Sequence, residues 1–473
     1  MSSQTKAGGL PLAGSRGLSL LSRLSAWLRP ALFPQSSEGM TGRKFLAGFL
    51  FVVAGAAASL ARTSGPGALN TTWIEDAGNF LTDALNRPVL TTLTTQVNGY
   101  YELVPRLASA IAVAFPVSWA PGVMSVLAAA QYAMFGLIAY IASGPHLRTP
   151  WLRLLLAAPA CLVPLGYTQA NNDLATVQFI ALYGLFWLVL WRPVTRAGQV
   201  CAPVIMLGST LTSILPLFFA PLVAARLIAD RSKTTIAVAV CWAVGLATQW
   251  SVQLRGMSNR SNQLFTSPLW SLGNYVTRTV PRAIFGERAL GGPGTNYRGS
   301  PVPLSIPNMA VHEALIWGAC AIVVAVVVIA LARLTAPQWP LAVTALAFSV
   351  LIFVGEIIDN YPIVQPRYVI APALLLYTAI VAMLRPRGVT GDVTGDVSGS
   401  RPRRVLAWVP VTVFALLLGV VIGFNYRVVN TRSESPPWTA VVAAARQSCM
   451  KPGMADYEYS HLWWHVQIPC SRV

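Results

Sequence analysis

Apolar residues fall in long, nearly unbroken runs rather than in the alternating or half-face patterns of a soluble core. Each run approaches the roughly 20 residues that a membrane-crossing helix needs. The runs 45–61, 121–143, 151–167, 173–191, 234–253, 312–334, 340–358, 368–384 and 405–426 each predict one span. The run 200–229 is too long for a single span and carries Pro216 and Pro221 near its middle, so it predicts a tight hairpin of two. The expectation is an all-α, polytopic transmembrane bundle of about eleven spans. Three interruptions are long enough to carry function: 63–120, 254–311 and the tail 427–473.

Composition agrees with that pattern. Hydrophobic residues make up 55% of the 473-residue chain and charged residues only 11%, whereas a soluble domain draws about a quarter of its residues from charged types. The net charge of +18 would suggest nucleic acid in a soluble protein. In a lipid-embedded chain it reads instead as basic loops beside anionic headgroups, so membrane lipids are expected partners and nucleic acid is not. The basic residues are also asymmetric. Arg148 and Arg153, Arg192 and Arg196, Arg226, Arg231 and Lys233, and the stretch 385–404 alternate with segments that hold no Lys or Arg, 168–172 and the Pro216 turn, and with the loop near Pro362, which holds only Arg367. By the positive-inside rule the first group is cytoplasmic, giving an N-in, C-out protein of the plasma (inner) membrane whose working face is extracytoplasmic.

This places residues 1–43, rich in Ser, Gly, Pro and Arg, as a disordered cytoplasmic tail, 44–426 as the membrane domain and 427–473 as an extracytoplasmic tail. The near-repeat between Val389 and Val397 in 385–404 predicts a flexible cytoplasmic linker. Cys161, Cys201, Cys241 and Cys320 sit inside apolar runs, as small hydrophobes do. Cys449 and Cys470 bracket the outer tail, where they would oxidise to a disulfide. No Cys or His spacing suits a metal, and none is assigned.

In the first outer segment, Glu75 and Asp76 precede apolar residues Ala77, Phe80, Leu81, Ala84 and Leu85. That is one face of a helix lying along the membrane. Asp76 could cap this helix, and Asp83 lies on the same helical face as Asp76, open to solvent. A turn, Asn98-Gly99-Tyr100-Tyr101, leads into a second helix over 102–115, with Pro105 in its first turn and Glu102 spaced to pair with Arg106. The segment 254–311 carries Arg255, Arg260, Arg278, Arg282, Arg288 and Arg298 against the single acid Glu287, and its Gly291–Gly294 stretch predicts mobility. Asn171, Asn172 and Asp173 read as a turn and helix cap. The tail aromatics Trp438, Tyr457, Tyr459, Trp463 and Trp464 read as interfacial or packing residues before sugar-stacking ones.

The order of a first span, an acidic pair, an amphipathic helix and a Gly-Tyr turn into a Pro-containing helix resembles the GT-C superfamily of glycosyltransferases. Protein O-mannosyltransferases and lipid A aminoarabinose transferases look similar here. Those families follow the turn with Glu/His-Pro-Pro-Leu. This chain has Glu102-Leu103-Val104-Pro105-Arg106-Leu107, with one proline, as in a diverged branch. A second similarity is Gln365-Pro366-Arg367-Tyr368 followed by Pro372, which looks like the Arg-Tyr-x-x-x-Pro start of a late span.

The resemblance implies transfer of a sugar from a polyprenyl-phosphate donor to a cell-envelope acceptor. Such chemistry needs a base for the acceptor hydroxyl and a cation for the phosphate leaving group. It points to Asp76 as the base, with Glu75 the alternative, and to Arg367 as the phosphate ligand, with Tyr368, Glu102, Arg106 and Tyr100 around it. Some members use a divalent cation and others do not, so that cofactor stays open. A transporter or flippase of lipid-linked components, or a non-catalytic scaffold of the same fold, are the competing readings. The scarcity of acids deep inside the spans weighs against transport.

Overall fold

The computed structural model describes residues 20–35, 39, 41–97, 99–255, 267–290, 309–358, 364–387, 401–430, 432–461 and 464–473. Helices dominate it, and each apolar run predicted to span the membrane contains one. In chain order they begin with α1 (Leu20–Leu32) and α2 (Gly42–Leu60). A π-helical turn, Asp76–Leu81, then runs into α3 (Thr82–Asn86), followed by α4 (Val89–Thr94) and α5 (Leu103–Ala112). Next come α6 (Ala120–Ala142), α7 (Pro150–Cys161) and α8 (Val177–Leu190). The hairpin stretch supplies α9 (Arg196–Thr210) and α10 (Ala220–Ala229), broken at Pro216 as the sequence requires.

The second half holds α11 (Lys233–Leu254), α12 (Pro268–Asn274), α13 (Val280–Phe285), α14 (Met309–Leu331) and α15 (Trp339–Ile358). After them come α16 (Ile370–Met383), α17 (Arg401–Phe424) and α18 (Trp438–Cys449). A small antiparallel hairpin, β1 (Asp456–His461) and β2 (Trp464–Pro469), ends the chain, so the tail departs from a purely α fold.

Seven of these helices are long and apolar enough to cross a membrane: α2, α6, α11, α14, α15, α17, and α16 with its leading turn Pro366–Val369. The others at predicted spans, α7, α8, α9 and α10, are shorter than a bilayer, because proline or polar turns end them early. Packing explains their position. α8 and α16 are apolar around the whole cylinder, and such helices belong inside a bundle. Every residue of α16 is buried, as is every residue of α8 except Gln178, and the two pack together at the centre. The outer helices show the opposite pattern. Phe45, Phe49 and Val53 on α2, and Val409, Val413 and Val420 on α17, are exposed apolar stripes of the kind lipid covers.

Three expectations need correction. The segment read as a disordered tail contains α1, whose Leu28, Leu32 and the following Phe33 are buried against the bundle. Arg29 Nε donates to Ala229 O at 3.1 Å and Arg192 Nη1 to Phe33 O at 3.0 Å. Apolar burial thus offsets a polar composition. The helix expected to lie in the membrane surface from Asp76 is a π turn plus a short α-helix, and its apolar face is covered by protein, α5 on one side and β2 on the other. The basic segment 254–311 is partly folded: α12, a π turn Tyr275–Thr279 and α13 bury Tyr275, Val280 and Ile284. Its Gly291–Gly294 stretch, Arg260 and Arg298 lie outside the described residues, as do residues 1–19, Asn98, Trp463 and 388–400 of the linker.

Cys449 and Cys470 are joined in a disulfide, with their Cα atoms 5.4 Å apart. It staples α18 to the end of the hairpin.

Candidate active site

The site is assembled at the junction of four chain segments: the π turn, the start of α5, the 171–176 turn and the start of α16. Trp73 and Ile74 are buried ahead of the π turn, which fixes the two acids that follow. Because neighbouring helical residues point about 100° apart, Glu75 and Asp76 face different surroundings. Asp76 turns inward and is 3% exposed. It does not cap its own helix. Its Oδ1 accepts from the N–H groups of Leu174 (3.1 Å) and Ala175 (3.0 Å), and its Oδ2 from Leu174 (2.9 Å).

The partner turn is itself braced. Asp173 Oδ1 accepts from the Thr176 N–H and hydroxyl at 2.9 and 2.5 Å, and its Oδ2 from the Asn171 N–H at 2.8 Å, so the polar turn that the sequence suggested forms. The expected cap does not, because Thr176 takes the cap position of α8 and its side chain makes no capping bond. Burial pushes the Asp76 carboxyl above the ordinary carboxylate range, and the nearby Asp173 adds to this, against the Leu174 and Ala175 N–H groups and Arg432.

Glu75 points the other way. Its Oε1 lies 3.8 Å from Arg367 Nη1, closing an ion pair between the first loop and the start of α16, and its Oε2 has no hydrogen-bond partner among the described residues. Arg367 lies against two aromatic rings, its Cζ 5.7 Å from the centroids of both Phe179 and Tyr368. The rings hold the guanidinium by cation–π attraction. Buried Glu356, in the last turn of α15, is close enough to Arg367 to feel its charge.

Glu102 completes the group. It sits immediately before α5 in the left-handed conformation (φ 49°, ψ 49°), unusual for a long side chain, and is 6% exposed. Strain of this sort persists where the surroundings over-determine it. The turn before it is closed by paired hydrogen bonds between Val97 and buried Tyr100, through Gly99 at φ 83°. The next residues are tied to the end of α9, with Leu103 N donating to Leu211 O and Val104 N to Thr212 Oγ1. Burial pushes the Glu102 carboxyl up to about 8; Glu75 reinforces the rise, while Arg106 and Arg367 oppose it.

The expected Glu102–Arg106 pair is not what forms. Arg106, fully buried, gives its Nη1 to Asp83 Oδ2 at 3.0 Å, and Asp83 also takes Arg87 at 3.3 Å instead of lying open to solvent. The reason is local: Glu102 precedes the helix in a left-handed turn, so the regular i,i+4 spacing does not apply. Arg106 Nε and Nη2 have no hydrogen-bond partner among the described residues, so a buried cation is only half satisfied beside the cluster. A half-satisfied guanidinium in low dielectric is costly, and an anion is the natural complement.

Sequence reasoning missed what holds these pieces in place. Arg432, buried, donates through Nε to Thr71 Oγ1 (3.1 Å), through Nη1 to Asn172 O (2.8 Å) and Asn171 O (3.2 Å), and through Nη2 to Ala68 O (2.6 Å), Thr71 O (2.9 Å) and Ser125 Oγ. One side chain of the tail therefore locks the first loop, α6 and the 171–176 turn together. Nothing about a lone arginine among polar tail residues signals this. The hairpin closes over the π turn, where a Cβ on Gly78 would come within 3.2 Å of His465 O. Trp438 packs inside, its Nε1 donating to Val117 O at 2.8 Å, and Trp464 is buried, so these two aromatics serve packing. Among the described residues no cluster of His, Cys, Asp and Glu is suited to a metal ion.

Compared with known protein families and with curated proteins, the chain matches none.

Proposed function

We propose that the protein is a membrane glycosyltransferase that moves a sugar from a polyprenyl-phosphate-linked donor to a cell-envelope acceptor at the extracytoplasmic face. The observation that carries this reading is that Arg367, at the start of α16, meets Glu75 of the first loop, close to Glu102 and Arg106 of the same loop, in one charged cluster. The acceptor hydroxyl attacks the anomeric carbon, the bond from that carbon to the phosphate oxygen breaks, and the hydroxyl proton passes to a carboxylate. Arg367, and Arg106 with its uncommitted nitrogens, supply positive charge for the leaving phosphate. A neutral Glu102 adds a hydrogen-bond donor there without repelling it.

Within this reading we favour Glu75, the alternative of the acidic pair, over Asp76 as the base. Asp76 spends three acceptor interactions on backbone N–H groups and works as an anchor, whereas Glu75 keeps an uncommitted oxygen and serves as base. A proton-coupled carrier is the second reading, favoured by buried Glu356 near Arg367.

The test uses protein in vesicles with a radiolabelled polyprenyl-phosphate sugar and envelope extract as acceptor. Glu75→Gln should lower transfer by about 10²–10⁴-fold with donor binding retained, and Arg367→Ala should weaken donor binding. Equal transfer by wild type and Glu75→Gln would remove the base assignment. Label that crosses the bilayer without joining any acceptor would favour the carrier.

A further inference from the structure

At the other end of α15 from Arg367 lies a second feature that the transferase reading does not use. Twenty residues of helix rise about 30 Å, so the two places belong to opposite ends of the bundle. There, the link between α14 and α15 and the chain leaving α16 enclose an open cavity of about 500 Å³, lined by Arg333, Arg385, Arg387, Trp339 and neighbouring residues, with no acid among the described residues of its wall.

Two of the arginines are held by the loop backbone. Arg385 Nε donates to Ala336 O at 2.8 Å and Arg387 Nε to Thr335 O at 3.1 Å, while the backbone N–H groups of Ala336 and Gln338 bond to Arg385 O and Ala382 O. The remaining Arg387 nitrogens make no hydrogen bond to a described residue, and no described acid pairs with Arg333 or Arg387. Arg333 has a backbone peculiarity. Leu334 N bonds to Ile329 O and Arg333 N to Ala330 O, the two bonds of a Schellman helix end, which places Arg333 at the left-handed position (φ 56°) that glycine normally fills. Arginine there accepts a steric cost that glycine avoids. Leu331 and Leu334 beside it are 65% and 58% exposed. Fixed guanidinium groups next to exposed leucines and a tryptophan, at the ends of helices long enough to cross a membrane, combine a headgroup contact with an acyl-chain contact.

We propose that this cavity binds the phosphate of an anionic membrane lipid. A free phosphate ion would satisfy the arginines but would make no use of the leucines, so the lipid is the occupant favoured. The inference is independent of the transferase reading.

Native mass spectrometry of the purified full chain tests it, with short-chain phosphatidylglycerol, phosphatidylcholine or inorganic phosphate added. Wild type should retain phosphatidylglycerol over phosphatidylcholine. Arg333→Gly and Arg387→Gln should each weaken phosphatidylglycerol binding about fivefold, and roughly multiplicatively together. Arg231→Gly, which removes an exposed charge outside the cavity, should leave it unchanged. Arg333→Gly puts the preferred residue at the left-handed position, so its melting temperature should not fall and lost binding cannot be ascribed to misfolding. Equal retention of the two lipids, wild-type phosphatidylglycerol binding by the double variant, or displacement of the lipid by equimolar inorganic phosphate would each overturn the proposal.

Discussion

Glu102→Gln replaces a buried carboxyl with a neutral group of the same shape, and its effect on stability should depend on pH in a defined direction. Burial raises the carboxyl from its ordinary 4.5 to about 8. The folded protein therefore holds a proton that the unfolded chain has already released. The contribution of this group is complete below about pH 4.5 and is lost as pH climbs through 8. In the interval the slope is about 1.4 kcal/mol per pH unit. The ceiling is about 4–5 kcal/mol; relaxation around the ionised group lowers the folded pKa, which shortens the interval and leaves the slope unchanged.

The assay is tryptophan-monitored thermal unfolding in detergent from pH 5 to 9 for wild type and variant. Titrating groups that do not interact with Glu102 are common to both and cancel in their difference. The melting temperatures should lie close together at pH 5. They should then diverge in favour of the variant by about 1–2 °C per pH unit, and stop diverging above pH 8. Parallel curves across the whole range would refute the claim that Glu102 sits neutral in its pocket.

Two further outcomes follow from the tail. Arg432→Ala leaves the carbonyls of Ala68, Thr71, Asn171 and Asn172 without their buried donor and should cost about 3–5 kcal/mol, read as a large drop in melting temperature; a loss under about 1 kcal/mol would contradict its clamping role. Replacing Cys449 and Cys470 by serine opens a loop of 21-residue separation and should cost the tail about 3 kcal/mol. Hydrogen exchange over β1, β2 and the π turn they cover should then accelerate together, and unchanged protection would show that the disulfide is not what holds the hairpin down.

The acidic pair shows why the candidate site was only partly legible. Position along the chain marks Glu75 and Asp76 together. Which one carries an uncommitted oxygen depends on where the N–H groups of Leu174 and Ala175 arrive, almost a hundred residues away. Arg106 is similar: its spacing predicted Glu102 as partner, and a single left-handed residue moved the bond to Asp83. Arg367 could be singled out from its motif, but the Phe179 ring against it could not.

The apolar runs by themselves determined that the chain is a bundle of membrane-type helices, because helix length and hydrophobicity are local properties that lipid reads directly. They also located the helix breaks at proline. Tertiary structure alone decided that α8 and α16 form the centre while α2 and α17 face outward, that the π turn at Asp76 is roofed by the tail, and that Arg432 binds three segments at once. Those outcomes rest on contacts between residues distant in sequence, which only packing brings together.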